Sequence, residues 1–267
     1  MRCSADAPPG QASEPSQVVD VVIDIACDRY GTRIVPTLAS VHHAVYDVDR
    51  LVRRGESSSV VGASLIILGA HTSSGETSDA LAARIRALLP VASIFVCTRR
   101  SERGHLRICE YARAGVDDLF VVDTPAELTA FLDEVRARLA APPPMNVLCE
   151  LSATKPSRGR AIALWCIRSS YRKRTVKSVV DWFDIDPKTA NRHCADGGFV
   201  HTSSLLRSGR LYHLEEIRRR THVSSPEIAR RLGFGDAKAL DVFRARARRS
   251  GLPATFDTSG TAVSGRR

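Results

Sequence analysis

No stretch of this chain approaches the ~20 consecutive apolar residues of a membrane-spanning helix. The seven cysteines, Cys3, Cys27, Cys97, Cys109, Cys149, Cys166 and Cys194, are odd in number and form no Cys-x-x-Cys pair. That spacing gives neither a zinc cluster nor a disulfide framework, so no metal is expected. Cys27, Cys97, Cys166 and Cys194 fall inside apolar or helical patterns, where a free thiol behaves as a small hydrophobe. This usage suits a reducing compartment, and a cytoplasmic location is the expectation. Gly69 and Gly75 are not followed by the Gly-Lys-Ser/Thr ending of a phosphate loop, and no Gly-x-Ser-x-Gly elbow occurs. Met1 to Gln17 has no apolar core of the secretory kind; its Pro, Ser, Ala and Gly content predicts a disordered tail over 1–17. A catalytic residue set and a cofactor are therefore not expected, and the chain is not read as an enzyme.

What the chain does have is an unequal charge distribution. At 267 residues it is long enough for two domains, and its net charge is +10. Residues 1–150 hold 15 Lys and Arg against 19 Asp and Glu, a net of −4, whereas 151–267 hold 24 against 10, a net of +14. A basic half beside an acidic one points to a polyanionic partner for the basic half alone.

The first half alternates strands and helices. Val18 to Ala26 is a β-branched run, read as a buried strand. Gly31 to Val48 is ambiguous, with a short strand near His43 to Val48, and Asp49 to Gly55 ends a helix. Ala63 to Leu68 and Val91 to Cys97 are further buried strands, and Asp118 to Val122 is another. Thr77 to Leu89 and Arg103 to Ala114 are helices, stopped by Pro90 and Gly115; Thr124-Pro125 opens one more, to about Ala140. This alternation implies parallel pairing and an α/β domain over 18–140. The three prolines of Ala141-Pro142-Pro143-Pro144 predict a stiff, Pro-rich linker over 141–155.

The second half reads as all-α. Arg158 to Ser169 is a helix. Thr175 to Phe183 is another, followed by the turn Asp184-Ile185-Asp186 and a helix that Asp186 caps and Pro187 begins. Ala190 and Cys194, four apart, face the core and leave Lys188, Thr189, Asn191 and Arg192 outside. Those side chains suit phosphate and base edges: Arg to guanine, Asn to adenine, Lys to phosphate. Thr202 to Arg220 is one linking helix. Ser225-Pro226-Glu227 then starts a short helix with Ile228, Ala229 and Leu232 apolar, Ser225 as its cap and Pro226 in first position. Gly233 ends it, and Asp236 caps a basic helix, Ala237 to Arg249, that carries Lys238, Arg244 and Arg246. A short helix, a tight turn and a basic helix, twice over, match the helix-turn-helix.

On these residues a family resemblance rests. Thr175 to Pro253 resembles the DNA-binding domain of AraC/XylS-type regulators, in which two helix-turn-helix units are joined by a long helix. The strongest match is Ile228-Ala229-Arg230-Arg231-Leu232-Gly233-Phe234, with Arg248-Arg249-Ser250-Gly251-Leu252-Pro253 beyond the basic helix. Asp186-Pro187-Lys188-Thr189-Ala190-Asn191-Arg192 is similar to that family's Ser-Pro-x-x-Leu-x-Arg pattern. The chain departs from the family at the aromatics of the second basic helix, where only Phe243 is found, and at the acidic Asp241. The likeness implies such a domain over 156–253; after it the chain becomes small and polar, which predicts a disordered tail over 254–267. Upstream, Ala112-Arg113-Ala114-Gly115-Val116-Asp117-Asp118-Leu119-Phe120 resembles a segment of response-regulator receiver domains, which share the flavodoxin-like fold. The family's phosphate-accepting aspartate is replaced by Gly69-Ala70-His71, and its lysine by Val122-Asp123; its metal-holding acids are reduced to Asp28. Only Thr98 matches. The resemblance thus implies a degenerate, receiver-like domain that signals without phosphorylation or provides a dimerisation surface, with a plain flavodoxin-like scaffold as the alternative. The expectation for the whole chain is a sequence-specific regulator that binds double-stranded DNA through Lys188, Thr189, Asn191, Arg192, Lys238, Arg244 and Arg246, with a homodimer formed through the first domain. The alternatives are a protein-interaction module without specific DNA readout and, least favoured, an α/β enzyme with a nucleotide in the sheet crevice.

Overall fold

The computed structural model describes residues 21–24, 43–54, 63–103 and 106–249. The expected tails, Asp28, and the match beyond Arg249 lie outside the described residues. Five strands, β1 (Val21–Asp24), β2 (His43–Tyr46), β3 (Leu65–Gly69), β4 (Ser93–Thr98) and β5 (Asp118–Val121), form one parallel sheet in the order β2-β1-β3-β4-β5. This is an α/β sheet compatible with a flavodoxin-like arrangement, with the order reversing between β1 and β3. Strands β1, β3 and β4 are buried along their whole length, which is why they read as unbroken Val, Ile and Leu runs rather than alternating ones.

Successive strand residues point to opposite faces, and each face has its own core. Val22, Ile66, Leu68, Ile94 and Val96 pack on one side with α2 (Asp79–Leu88) and α4 (Ile108–Ala114). Val21, Ile23, Leu65, Ile67, Phe95 and Cys97 pack on the other with α5 (Pro125–Ala140). A short helix, α1 (Val48–Arg54), follows β2, and another, α3 (Arg100–Arg103), follows β4. The helix expected from Arg103 onwards therefore begins later, at Ile108, because Arg107 is extended (ψ 92°) and acts as its N-cap. It ends as expected, at Gly115 in the left-handed region (φ 87°). The start of α5 is a capping box: the Glu127 amide donates to Thr124 Oγ1 (3.2 Å), and the Thr124 amide donates to Glu127 Oε2 (3.0 Å).

Most of the expected linker over 141–155 is a helix. Pro144 is the N-cap of α6 (Met145–Ala153), whose Val147, Leu148 and Leu151 are buried against Leu164, Ile167 and Tyr212. Apolar residues at i, i+1 and i+4 outweigh the stiffness of the prolines, which set only the entry to the helix. Beyond it come α7 (Arg158–Ser169), α8 (Val176–Phe183), α9 (Pro187–Asp196), α10 (Thr202–Arg220), α11 (Ser225–Arg231) and α12 (Ala237–Arg249). Helix α7 is central to this half, and two glycines allow its close crossings. A Cβ on Gly159 of α7 would lie 2.1 Å from the His193 carbonyl oxygen of α9, and one on Gly209 of α10 would lie 2.9 Å from the Ile167 Cα.

The helical half continues both cores of the sheet. Ile162, Trp165 and Phe183 join one face, and Tyr171, Leu214, Ile217, Ile228 and Leu240 join the other. A buried polar cluster lies in the seam. Asp117 accepts from Arg168 Nε (2.6 Å), Arg86 Nη2 (3.1 Å) and the Ile94 amide (2.9 Å), and its carbonyl accepts from Trp165 Nε1 (3.0 Å). Burial would raise the Asp117 pKa, but Arg168, Arg86 and the amide outweigh burial and hold the carboxyl below its ordinary value. Burial, with Arg168 beside it, pushes the Arg86 pKa down to about 9. At the edge of the seam Tyr171 donates to Glu134, Arg172 pairs with Glu134 (3.0 Å) and Arg174 with Asp118 (2.5 Å).

Candidate nucleic-acid interface

Two pairs of helices carry the residues singled out above. In the first, Thr175 caps α8 with a reciprocal Thr175–Ser178 box, and α8 ends on Asp184 in the left-handed region (φ 50°). Asp tolerates this conformation better than most side chains, so the turn stays tight without glycine. Asp186 then caps α9, accepting from the Thr189 amide (3.0 Å), with Pro187 in the first turn. Val179, Trp182 and Phe183 of α8 and Ala190 and Cys194 of α9 are buried, so the two helices share a core and α9 presents its other face.

The second pair is built alike. The Gly233 amide donates to Arg230 O (3.1 Å) and the Phe234 amide to Ala229 O (2.8 Å), the paired bonds of a Schellman turn, with Gly233 at φ 64°. The Ala239 amide donates to Asp236 Oδ1 (2.6 Å), so Asp236 caps α12. The other end differs from expectation. The N-cap of α11 is Ser224, not Ser225, its side chain makes no capping bond, and Pro226 is the second helical residue. Proline is accepted there because that amide has no intrahelical partner in any case. Glu227 instead pairs with Arg230 (2.7 Å) and Arg231 (2.8 Å), which push its pKa down to about 2.

The candidate side chains divide into two groups. Lys188 and Arg192 stand exposed four residues apart on α9, and Lys238 and Arg246 stand exposed on α12. Thr189, Asn191 and Arg244 are less exposed and make contacts within the chain. Thr189 is half-buried and donates to Asp186 Oδ2 (2.6 Å). Asn191, expected to read adenine, is half-buried, and its Oδ1 accepts from both the amide (3.1 Å) and the hydroxyl (3.0 Å) of Thr202. It thereby caps α10, whose own N-cap His201 makes no side-chain bond. The amide NH₂ alone is left to Asn191, too little for bidentate recognition of adenine, which needs donor and acceptor together. Arg244 is half-buried beside Asp241 (3.5 Å).

The aromatic departure in the second basic helix is resolved by packing. Leu240 fills the core position, fully buried, while Phe243 leans on Phe234 with ring centroids 5.2 Å apart. Arg210 of α10 lies over the Phe234 ring at 3.8 Å and donates to Leu232 O, tying the long helix to the α11–α12 turn. Arg207, also on α10, was not among the expected residues. It joins Lys238, Val242, Phe243 and Arg246 around a cleft of about 580 Å³. Its signal in the sequence is its place off the apolar stripe Leu205, Leu206, Leu214 and Ile217.

Among the described residues no group of His, Cys, Asp and Glu is placed to hold a metal ion, and no helix is long and apolar enough to cross a membrane. Comparison with protein-family models and with curated proteins gives no match.

Proposed function

We propose that this chain is a transcription regulator of the AraC/XylS type that binds double-stranded DNA through two helix-turn-helix units, α8–α9 and α11–α12. The observation that carries the reading is the repeat itself: each pair has a left-handed turn residue, an aspartate-capped second helix and exposed cations on that helix. The 19-residue α10 joins the pairs and spans about 28 Å at 1.5 Å per residue. That length is close to the ~34 Å between successive major-groove faces on one side of a duplex. In this reading Lys188, Arg192, Lys238 and Arg246 make the outward contacts, joined by Arg207. Thr189 and Asn191 position α9 and α10 instead. The α/β half signals without accepting phosphate, a reading supported by Gly69-Ala70-His71 at the end of β3 and by Asp123 after β5, whose carboxylate accepts from the Arg100 amide (2.6 Å).

Selection of the full chain against a pool of randomised duplexes tests this. Enrichment of a motif with two elements about 10 base pairs apart is the expected outcome. Enrichment of nothing would set the reading aside in favour of a protein partner.

A further inference from the structure

A second basic surface lies outside the two basic helices α9 and α12. Between the last turns of α5, the segment after α7 and the end of α11 runs a groove of about 800 Å³. Five cations line it, Arg136, Arg172, Lys173, Arg230 and Arg231, against one lining acid, Asp133. Even counting Glu134 and Glu227, which pair with Arg172 and with Arg230 and Arg231, the charge around the groove stays at +2. The groove is built rather than incidental. Arg172 Nη2 donates to the Asp133 carbonyl (2.8 Å) and Arg231 Nη1 to the Ala140 carbonyl (3.2 Å), so both arginines reach across to the backbone of α5. Arg136 and Arg230 stand at the rim, their side chains 60% and 75% exposed. Lys173 is exposed and makes no ion pair among the described residues.

The rest of the lining is alanine and glycine, with no aromatic or large apolar side chain to hold a base or a sugar. Such a surface recognises charge and not a ring. Gly233, the turn before α12, is itself part of the lining, so the groove is continuous with the proposed second DNA-reading helix. We infer that this groove holds backbone phosphates of the same duplex, and that the α/β half, through Arg136, takes part directly in DNA binding. This rests on the proposed function above. It adds a sequence-independent clamp outside the two reading helices, of the kind that fixes register without reading bases.

The test is the salt dependence of duplex affinity, measured by fluorescence anisotropy on the full chain. Each lost phosphate contact reduces the slope of log K against log[salt] by about 0.9, or roughly eightfold in affinity near 0.1 M salt. Lys173→Ala and Arg136→Ala should each show that loss equally on selected and scrambled duplexes. Asp133→Asn should strengthen binding, an outcome that structural damage would not produce; its pair with Arg136 is exposed, so the fold tolerates the change. Arg84→Ala is the control for net charge, since α2 lies on the opposite face of the sheet from α5. Slopes for Lys173→Ala and Arg136→Ala that match Arg84→Ala, with wild-type binding intact, would overturn the clamp and leave the regulator reading standing. Failure of the wild type to bind any duplex would overturn both.

Discussion

Replacing Asp117 by Asn leaves the shape of the seam nearly intact and removes the carboxylate that pairs with both Arg168 and Arg86. Arg168 is 2% exposed and Asp117 3%, so water cannot take the place of the lost carboxylate. Breaking a buried pair in this way costs about 3–5 kcal/mol, mostly the penalty of leaving a charge unpaired. Against a total stability of roughly 5–15 kcal/mol for a folded protein, that is a large fraction. The assay is urea unfolding of the full chain, followed by tryptophan fluorescence and by far-ultraviolet circular dichroism. Both tryptophans, Trp165 and Trp182, lie in the helical half, and Trp165 donates directly to the Asp117 carbonyl. Circular dichroism reports both halves. Because both sheet cores run into the helices, the two signals should move together to lower urea. The Asp117 carboxyl is held below its ordinary pKa, so its contribution is present above the unfolded value of about 3.9 and lost as pH falls through the lower folded value. Asp117→Asn should remove that part of the acid sensitivity. A loss below about 1 kcal/mol, or a shift of one signal without the other, would refute the claim that this cluster joins the halves.

Three further outcomes follow from particular contacts. Gly159→Ala places a methyl 2.1 Å from the His193 carbonyl oxygen and should lower stability by about 1–3 kcal/mol or more, read from the urea midpoint. His213 is fully buried with its two ring nitrogens each 3.0 Å from a carbonyl oxygen, of Pro142 and Ile167; burial and Arg138 outweigh those bonds and push its pKa down to about 4. Its neutral form is therefore the folded one, so stability should be full above pH ~6.5 and fall by about 3 kcal/mol as pH drops toward 4, a slope that His213→Leu should flatten. Arg192→Ala should weaken binding to a selected duplex by roughly 1–3 kcal/mol if it reads guanine, and equally on all sequences if it holds phosphate; competition between selected and scrambled duplexes separates the two.

Much of the fold was legible because local chemistry and packing agree in it. The β-branched runs of β3 and β4, the Thr124-Pro125 start of α5 and the Asp186-Pro187 start of α9 each carry their signal in adjacent residues. Helix α6 was hidden by the prolines before it, which dominate a reading by composition although Val147, Leu148 and Leu151 form an apolar face. Asn191 and Thr202 are eleven residues apart, so the bond that takes Asn191 from the candidate surface has no local mark. The seam is still less legible: Asp117 and Arg168 are 51 residues apart, and in sequence each reads as an ordinary solvated charge. Gly159 and Gly209 sit inside helices, where sequence shows a weakened helix but not the neighbouring backbone that excludes a side chain.

The central claim is that the exposed cations of α9 and α12 hold a duplex. Its most direct test is the affinity of the full chain for a selected duplex and a scrambled one over a salt series. Contacts by Lys188, Arg192, Lys238 and Arg246 alone predict a slope of log K against log[salt] near −3.6, steeper with the groove beside α5, and a clear preference for the selected duplex. A flat salt dependence, or equal affinity for both duplexes, would contradict it.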